Sequence, residues 1–384
     1  MNFTRRHFFL GSLALPALAA KKAVGEQPNI LLILVDGLPS WLLGCYGNTE
    51  IRTPKIDQLA QTGTRFMNHY AAAPLADPAR AALLSGRTPM QLKAPGEVTL
   101  EKLLGGIGYA CGNTTGGAAA LQFLDGQSAG KPFFLTANFA PFASLPADAG
   151  AYAQAKFDTF EQVAAAKSAA RGKEMMGANL LPNLRKVAAA TTALDGEIGS
   201  MVARLIQKKM LGGTLIAFTS PVGSLFGRHG LWATGDASDP INFFEEVVAT
   251  PMIWSWNGRV PPLAVRPEVV SAYDLLPTIC DITPAELPGS NLCGRSYLPL
   301  VTGKPLPKKQ PWRTTVFAQY GDAGMARSDR YKVIVRNEGK GPGELYDDKV
   351  DPRERVNQYD NPQFLTVRTS HSAELAKWKR TYSA

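Results

Sequence analysis

The chain has 384 residues, 45% hydrophobic and 19% charged, a balance that supports a large packed core and excludes a disordered or fibrous protein. Its 41 Lys and Arg against 32 Asp and Glu give a net charge of +9, but the charge is scattered. The densest basic pieces, Lys308-Lys309 and Lys377 to Arg380, read as solvated faces, so no nucleic-acid partner is expected, while anionic glycans or an anionic membrane surface suit a mildly basic exterior.

The first residues, Thr4-Arg5-Arg6-His7-Phe8-Phe9-Leu10, lead into a short apolar stretch that ends in small residues at Ala20. This pattern is a twin-arginine export signal over residues 1–20, too short and too interrupted by Gly11 and Pro16 to leave a transmembrane segment in the mature chain. The expected location is periplasmic or secreted. Cys45, Cys111, Cys280 and Cys293 lack zinc-type spacing; in an oxidising compartment Cys280 and Cys293, twelve residues apart in the intervening chain, are one candidate pair, and the pairing stays open.

Beyond the signal, Asn29 to Val35 is apolar at successive positions, which predicts a strand buried on both faces of a parallel sheet. Asp36 and Gly37 then fall at its carboxyl end, where open α/β sheets place ligands. A helix follows from Pro54, with Thr53 as its cap and Gly63 at its end. In Pro74 to Arg87, Asp77 is a good N-cap, Pro78 suits the first helical position and Gly86 ends the turn, so Ala76 stands beside free N–H groups able to hold an anion. Further strands are predicted at Lys131 to Asn138, Thr214 to Thr219 and Pro251 to Trp254, with a long amphipathic helix from Leu181 to about Lys209. Lys304 to Pro311 reads as a linker; short strands at Thr314 to Gln319, Arg330 to Arg336 and Glu344 to Asp347 precede a terminal helix from about Pro362.

The stretch Ala76-Asp-Pro-Ala-Arg80 closing in Ser85-Gly86-Arg87 resembles the signature of the sulfatase family, in which Cys-x-Pro-x-Arg precedes Thr/Ser-Gly-Arg. The resemblance extends through Pro28 to Asp36, Gly44 to Asn48, Arg52 to Ala60, Gly227 to Trp232, Ala272 to Ile279 and Gly294 to Leu300. It implies an α/β fold with a large, mostly parallel sheet flanked by helices over residues 28–303, and a small antiparallel sheet with a terminal helix over 312–384.

It also implies a chemistry whose residues are mostly replaced. Sulfatases oxidise the signature cysteine to formylglycine; Ala76 stands there, so no formylglycine forms. Of the positions that bind a divalent metal in the family, Asp36 is kept as the sole certain ligand, while Gly37, Pro221 and Val222 offer no ligating side chain. At most weak binding of calcium or magnesium is expected. The family's sulfate-contacting lysine and histidines fall on Gly116 or Gly117, Phe142 and Thr234. Asp77 remains either a helix cap or a shifted nucleophile or ligand, Arg80 either an anion contact or an ion-pair partner, and His229 either a site residue or a packed or surface one.

Two functional expectations follow. One is a sulfatase-like protein without hydrolysis, a pseudoenzyme that binds an anionic glycan or a protein partner. The other is a metal-dependent sulfuric or phosphoric ester hydrolase that uses Asp36, Asp77, Arg80 and His229.

Overall fold

The computed structural model describes residues 27–92, 98–161, 163–289, 291–306 and 311–383. The export signal read at residues 1–20 and residues 307–310 of the linker lie outside them. In chain order the large domain contains β1 (Asn29–Val35), α1 (Pro54–Gln61), β2 (Thr64–Tyr70), α2 (Ala76–Ser85), α3 (Leu100–Gly106), β3 (Ala110–Thr115), α4 (Gly117–Asp125) and β4 (Phe133–Phe139). It continues with α5 (Leu180–Gln207), β5 (Thr214–Thr219), α6 (Glu245–Val248), β6 (Met252–Ser255), β7 (Ala264–Ser271), α7 (Leu275–Ile282) and α8 (Leu298–Val301). The C-terminal part holds β8 (Val316–Tyr320), β9 (Ala323–Arg327), β10 (Tyr331–Val335), β11 (Glu344–Asp347) and α9 (Leu365–Thr381).

The seven-stranded sheet runs β3-β4-β1-β5-β6-β2-β7, with β1 parallel to both β4 and β5, and β6 the antiparallel member. β1 is central because it is apolar on both faces. Leu31, Ile33 and Val35 join the core under α4 and α5, while Ile30, Leu32 and Leu34 join the core under α2, α3 and α7. Alternation of side chains along the strand makes that division. α5 buries Leu184, Val187, Thr191, Leu194, Ile198, Met201 and Leu205, one stripe at helical spacing. A second, four-stranded sheet, β11-β10-β9-β8, is antiparallel throughout and packs its own apolar face against Tyr70, Val222, Phe243 and Val247.

Several local expectations need correction. Thr53 does not cap α1 with its side chain; its Oγ1 accepts from the Gly44 N–H at 2.9 Å and donates to Asp57. The N–H groups of Lys55 and Ile56 are instead satisfied by Asp195, a buried carboxylate on α5. α2 begins two residues earlier than the cap reading, at Ala76 after Leu75, so Asp77 is an exposed residue of the first helical turn and caps nothing. The terminal helix starts at Leu365, preceded by a turn over Pro362–Phe364 whose cap is Asn361. No disulfide joins Cys280 to Cys293 or involves Cys45 or Cys111 among the described residues. Strands β2, β3, β7 and β9 are additions that periodicity did not flag.

Candidate functional site

The carboxyl ends of β1, β3 and β4 meet the start of α2. Asp36 follows β1, and its backbone N–H is tied to Phe139 O at 2.8 Å, which holds the residue at the carboxyl end of the central strand. Ala76 heads α2, and Arg80, one turn later, leaves the same helix face. Arg80 reaches back to the sheet: Nη2 donates to Asp36 Oδ2 and Nη1 to Asn138 Oδ1. Asn138 in turn donates from Nδ2 to Asn113 Oδ1 at 2.7 Å and Thr114 O at 2.9 Å. A continuous polar chain, Asp36–Arg80–Asn138–Asn113, therefore crosses the ends of three strands.

Burial pushes the Asp36 carboxyl above the usual carboxylate range, with the charge and hydrogen bond of Arg80 pulling against it and Asp77 adding to the rise. Its second oxygen, Oδ1, is buried with no hydrogen-bond partner. Gly37 takes a left-handed φ of 71°, and a Cβ built there would lie 2.9 Å from Ser224 Oγ and 3.5 Å from Phe142 Cδ2. Phe142 packs edge-on against Phe226 at 4.9 Å, and Phe226 against Trp232 at 5.3 Å. These rings fill the space beside Gly37.

Other residues singled out from the sequence are engaged elsewhere. Pro221 and Val222 are buried, Val222 within the core shared with the C-terminal sheet. Thr234 donates to Asp236, which pairs with Arg171. Gly116 and Gly117 form the N-terminus of α4, where Glu197 Oε2 accepts from the Gly117 N–H at 2.7 Å. His229 contacts Glu246 through Nε2 at 3.1 Å and stacks on Phe244 with ring centres 3.7 Å apart. Glu246 also pairs with Arg228, whose guanidinium lies over Trp41. Burial acts to raise the Glu246 carboxyl, but His229 and Arg228 hold it below the usual range.

The structure thus brings Asp36 and Arg80 together and gives His229 and Asp77 different surroundings. Sequence reasoning missed Asn113, Asn138, Ser224 and Glu246. Asn138, at the end of a buried apolar strand, is the one that carried a signal. Among the described residues, five surface cavities of 320 to 590 Å³ are lined without Asp36, Ala76 or Arg80.

A large, mostly parallel α/β sheet with its ligand-type residues at the strand ends, docked to a small antiparallel sheet, defines the class. Residues 28–118 match the Sulfatase family model, and residues 238–381 match the model for N-sulphoglucosamine sulphohydrolase, C-terminal. Human arylsulfatase A is 28% identical over 360 residues, 75% of this chain and 70% of that protein. The Delta 4,5-hexuronate-2-O-sulfatase of Bacteroides thetaiotaomicron is 26% identical over 435 residues, 91% of this chain and 88% of that protein. Among solved structures, BT4656 in complex with its substrate D-glucosamine-2-N,6-O-disulfate superposes with a TM-score of 0.75 at 20% identity, covering 92% of this chain and 98% of that one. The phosphonate monoester hydrolase of Agrobacterium radiobacter gives 0.77 at 18% identity, over 93% and 96%. The chain belongs to the sulfatase / alkaline-phosphatase-like superfamily.

Proposed function

We propose that this protein keeps the sulfatase fold without ester hydrolysis and acts by binding, with an anionic glycan, sulfated ones included, as its ligand class. The observation that carries the reading is the ion pair between Arg80 and Asp36. In this reading the guanidinium takes the part a divalent cation would have, leaving the retained carboxylate already neutralised. A hard divalent ion wants six or more oxygen ligands. The other positions that the family resemblance assigns to the metal are Gly37, closed by Ser224 and Phe142, and the buried Pro221 and Val222, so the donor set does not fit such an ion. Attack on an ester also needs an activated nucleophile, and the methyl of Ala76 supplies none. His229, bonded to Glu246, lacks a nucleophile to serve.

The ligand class rests on the positive net charge and on relatives named for sulfated sugars. Export by the twin-arginine route to the periplasm or beyond belongs to the same proposal and rests on Arg5-Arg6 and the apolar run behind them. Among the described residues no helix is long and apolar enough to cross a membrane.

Hydrolysis of 4-nitrophenyl sulfate and 4-nitrophenyl phosphate in calcium or magnesium tests the reading. The expected result is no turnover above buffer, for the wild type and for Asp36→Ala alike. Metal-dependent turnover that disappears in Asp36→Ala would overturn it in favour of an ester hydrolase.

A further inference from the structure

A cavity of 380 Å³ lies at the carboxyl end of β7, where the large domain, β8 and α9 meet. β7 is the sheet edge, four strand positions from β1, which at about 4.8 Å per strand puts this cavity roughly 19 Å from Asp36 along the sheet. It is therefore separate from the Asp36–Arg80 remnant.

Two arginines, Arg295 and Arg313, are among its lining residues. Both lie over the Trp312 indole, at 4.0 and 5.1 Å from its centre. Among the described residues one carboxylate pairs with Arg313 here, the fully buried Asp274. Its oxygens are largely committed: Oδ2 accepts from the Ser271 N–H at 2.9 Å, and Oδ1 accepts from the Arg295 N–H at 2.8 Å and from Arg313 Nη2 at 2.7 Å. Arg295 donates from Nη2 to Pro311 O at 2.9 Å, and its Nε is buried without an acceptor. Burial, followed by the neighbouring charge of Arg313, weakens the proton affinity of Arg295, as expected where two cations share one counter-charge. The lining also holds four aromatic residues: Tyr273, Phe317 stacked on Trp378 at 5.3 Å, and Tyr382.

We propose that this cavity is a binding site for a small organic oxyanion carried on an apolar ring. The planar guanidinium fork suits carboxylate, sulfate and phosphate oxygens alike, and excess positive charge beside buried aromatic rings selects a ligand with one charged and one apolar end. The volume falls in the range of sites for small molecules. Hydrolysis at the remnant site, or its lack, has no bearing on this assignment.

Titration calorimetry on the full chain with phenyl sulfate, phenol and inorganic sulfate tests it. Phenyl sulfate should bind with a dissociation constant of about 1 mM or tighter, and phenol and inorganic sulfate about tenfold more weakly or worse. Arg295→Met keeps the aliphatic stem on Trp312 and should weaken phenyl sulfate about tenfold, the worth of one charge-assisted hydrogen bond, with the melting midpoint unchanged. Tyr382→Ala, which removes an aromatic ring from the lining, should weaken it as well. Arg80→Met should leave binding as in the wild type. The proposal falls if phenol binds as well as phenyl sulfate, if neither Arg295→Met nor Tyr382→Ala changes the affinity, or if Arg80→Met abolishes binding.

Discussion

Arg80 and Asp36 hold one another at the point where α2 faces the sheet, both side chains about three-quarters buried. Truncating Arg80 to Met strands a buried carboxylate and leaves Asn138 Oδ1 without its donor, so urea unfolding should show a loss of about 1–3 kcal/mol. Adding Asp36→Asn to that variant should recover part of the loss, because the uncompensated charge is then gone. Gly37→Asp reinstates one family ligand in name. Its φ of 71° and the approach of Ser224 Oγ at 2.9 Å make the change destabilising by about 1–2 kcal/mol, and no calcium-dependent rise in the melting midpoint should accompany it.

At the scale of elements, the small sheet is fastened to the large domain by a buried ionic cluster. Lys332 on β10 is fully buried and donates to Phe243 O at 2.8 Å and Glu245 Oε2 at 2.9 Å, with Glu354 also against it. Arg327 on β9 pairs with Glu245 and Asp348, and Tyr70 OH donates to Glu245 Oε1. Three carboxylates thus face two cations. Lys332 and Arg327 hold Glu245 well below the usual range against the opposing effect of its burial. Burial, then the charge of Glu245, raises Asp348 to about 6 from 3.8, and burial raises Glu354 as well. For Asp348 the folded state binds the proton more tightly than the unfolded chain. Its contribution is complete below about pH 4 and is lost as the pH rises through about 6. Glu245 works in the opposite sense, its contribution being lost on acidification below the unfolded value. Urea midpoints between pH 4 and 7 should therefore show a decline in the wild type that Asp348→Asn lessens by about 1–3 kcal/mol. Lys332→Met removes the cation these carboxylates share and should cost about 3–5 kcal/mol at pH 7 and less at pH 5.

Over the whole molecule, what the sequence disclosed was local in origin. β1 and β5 were legible because their apolar runs are continuous, and β11 because its end is marked by turn residues. β9, Ala-Gly-Met-Ala-Arg, has no β-branched residue and is a strand only because β8 and β10 flank it. β7 carries Pro267, tolerated because it is an edge strand. The site divides in the same way. Ala76, Gly37, Pro221 and Val222 were visible as substitutions within motifs. The Arg80 bridge to Asp36 and Asn138 joins residues 44 and 58 positions apart, and Asp195 satisfies the start of α1 from 139 to 140 positions away. No spacing rule reports such contacts. In the proposed function the Arg80 guanidinium stands where the family holds a metal, and the melting midpoint of the protein in chelator and then in rising calcium or magnesium tests this. A site filled to a hundred times its dissociation constant would add about 2.7 kcal/mol and raise the midpoint by roughly a degree or more. The expected midpoint is flat up to millimolar ion; a saturating rise that Asp36→Ala abolishes would contradict the replacement of the metal by Arg80.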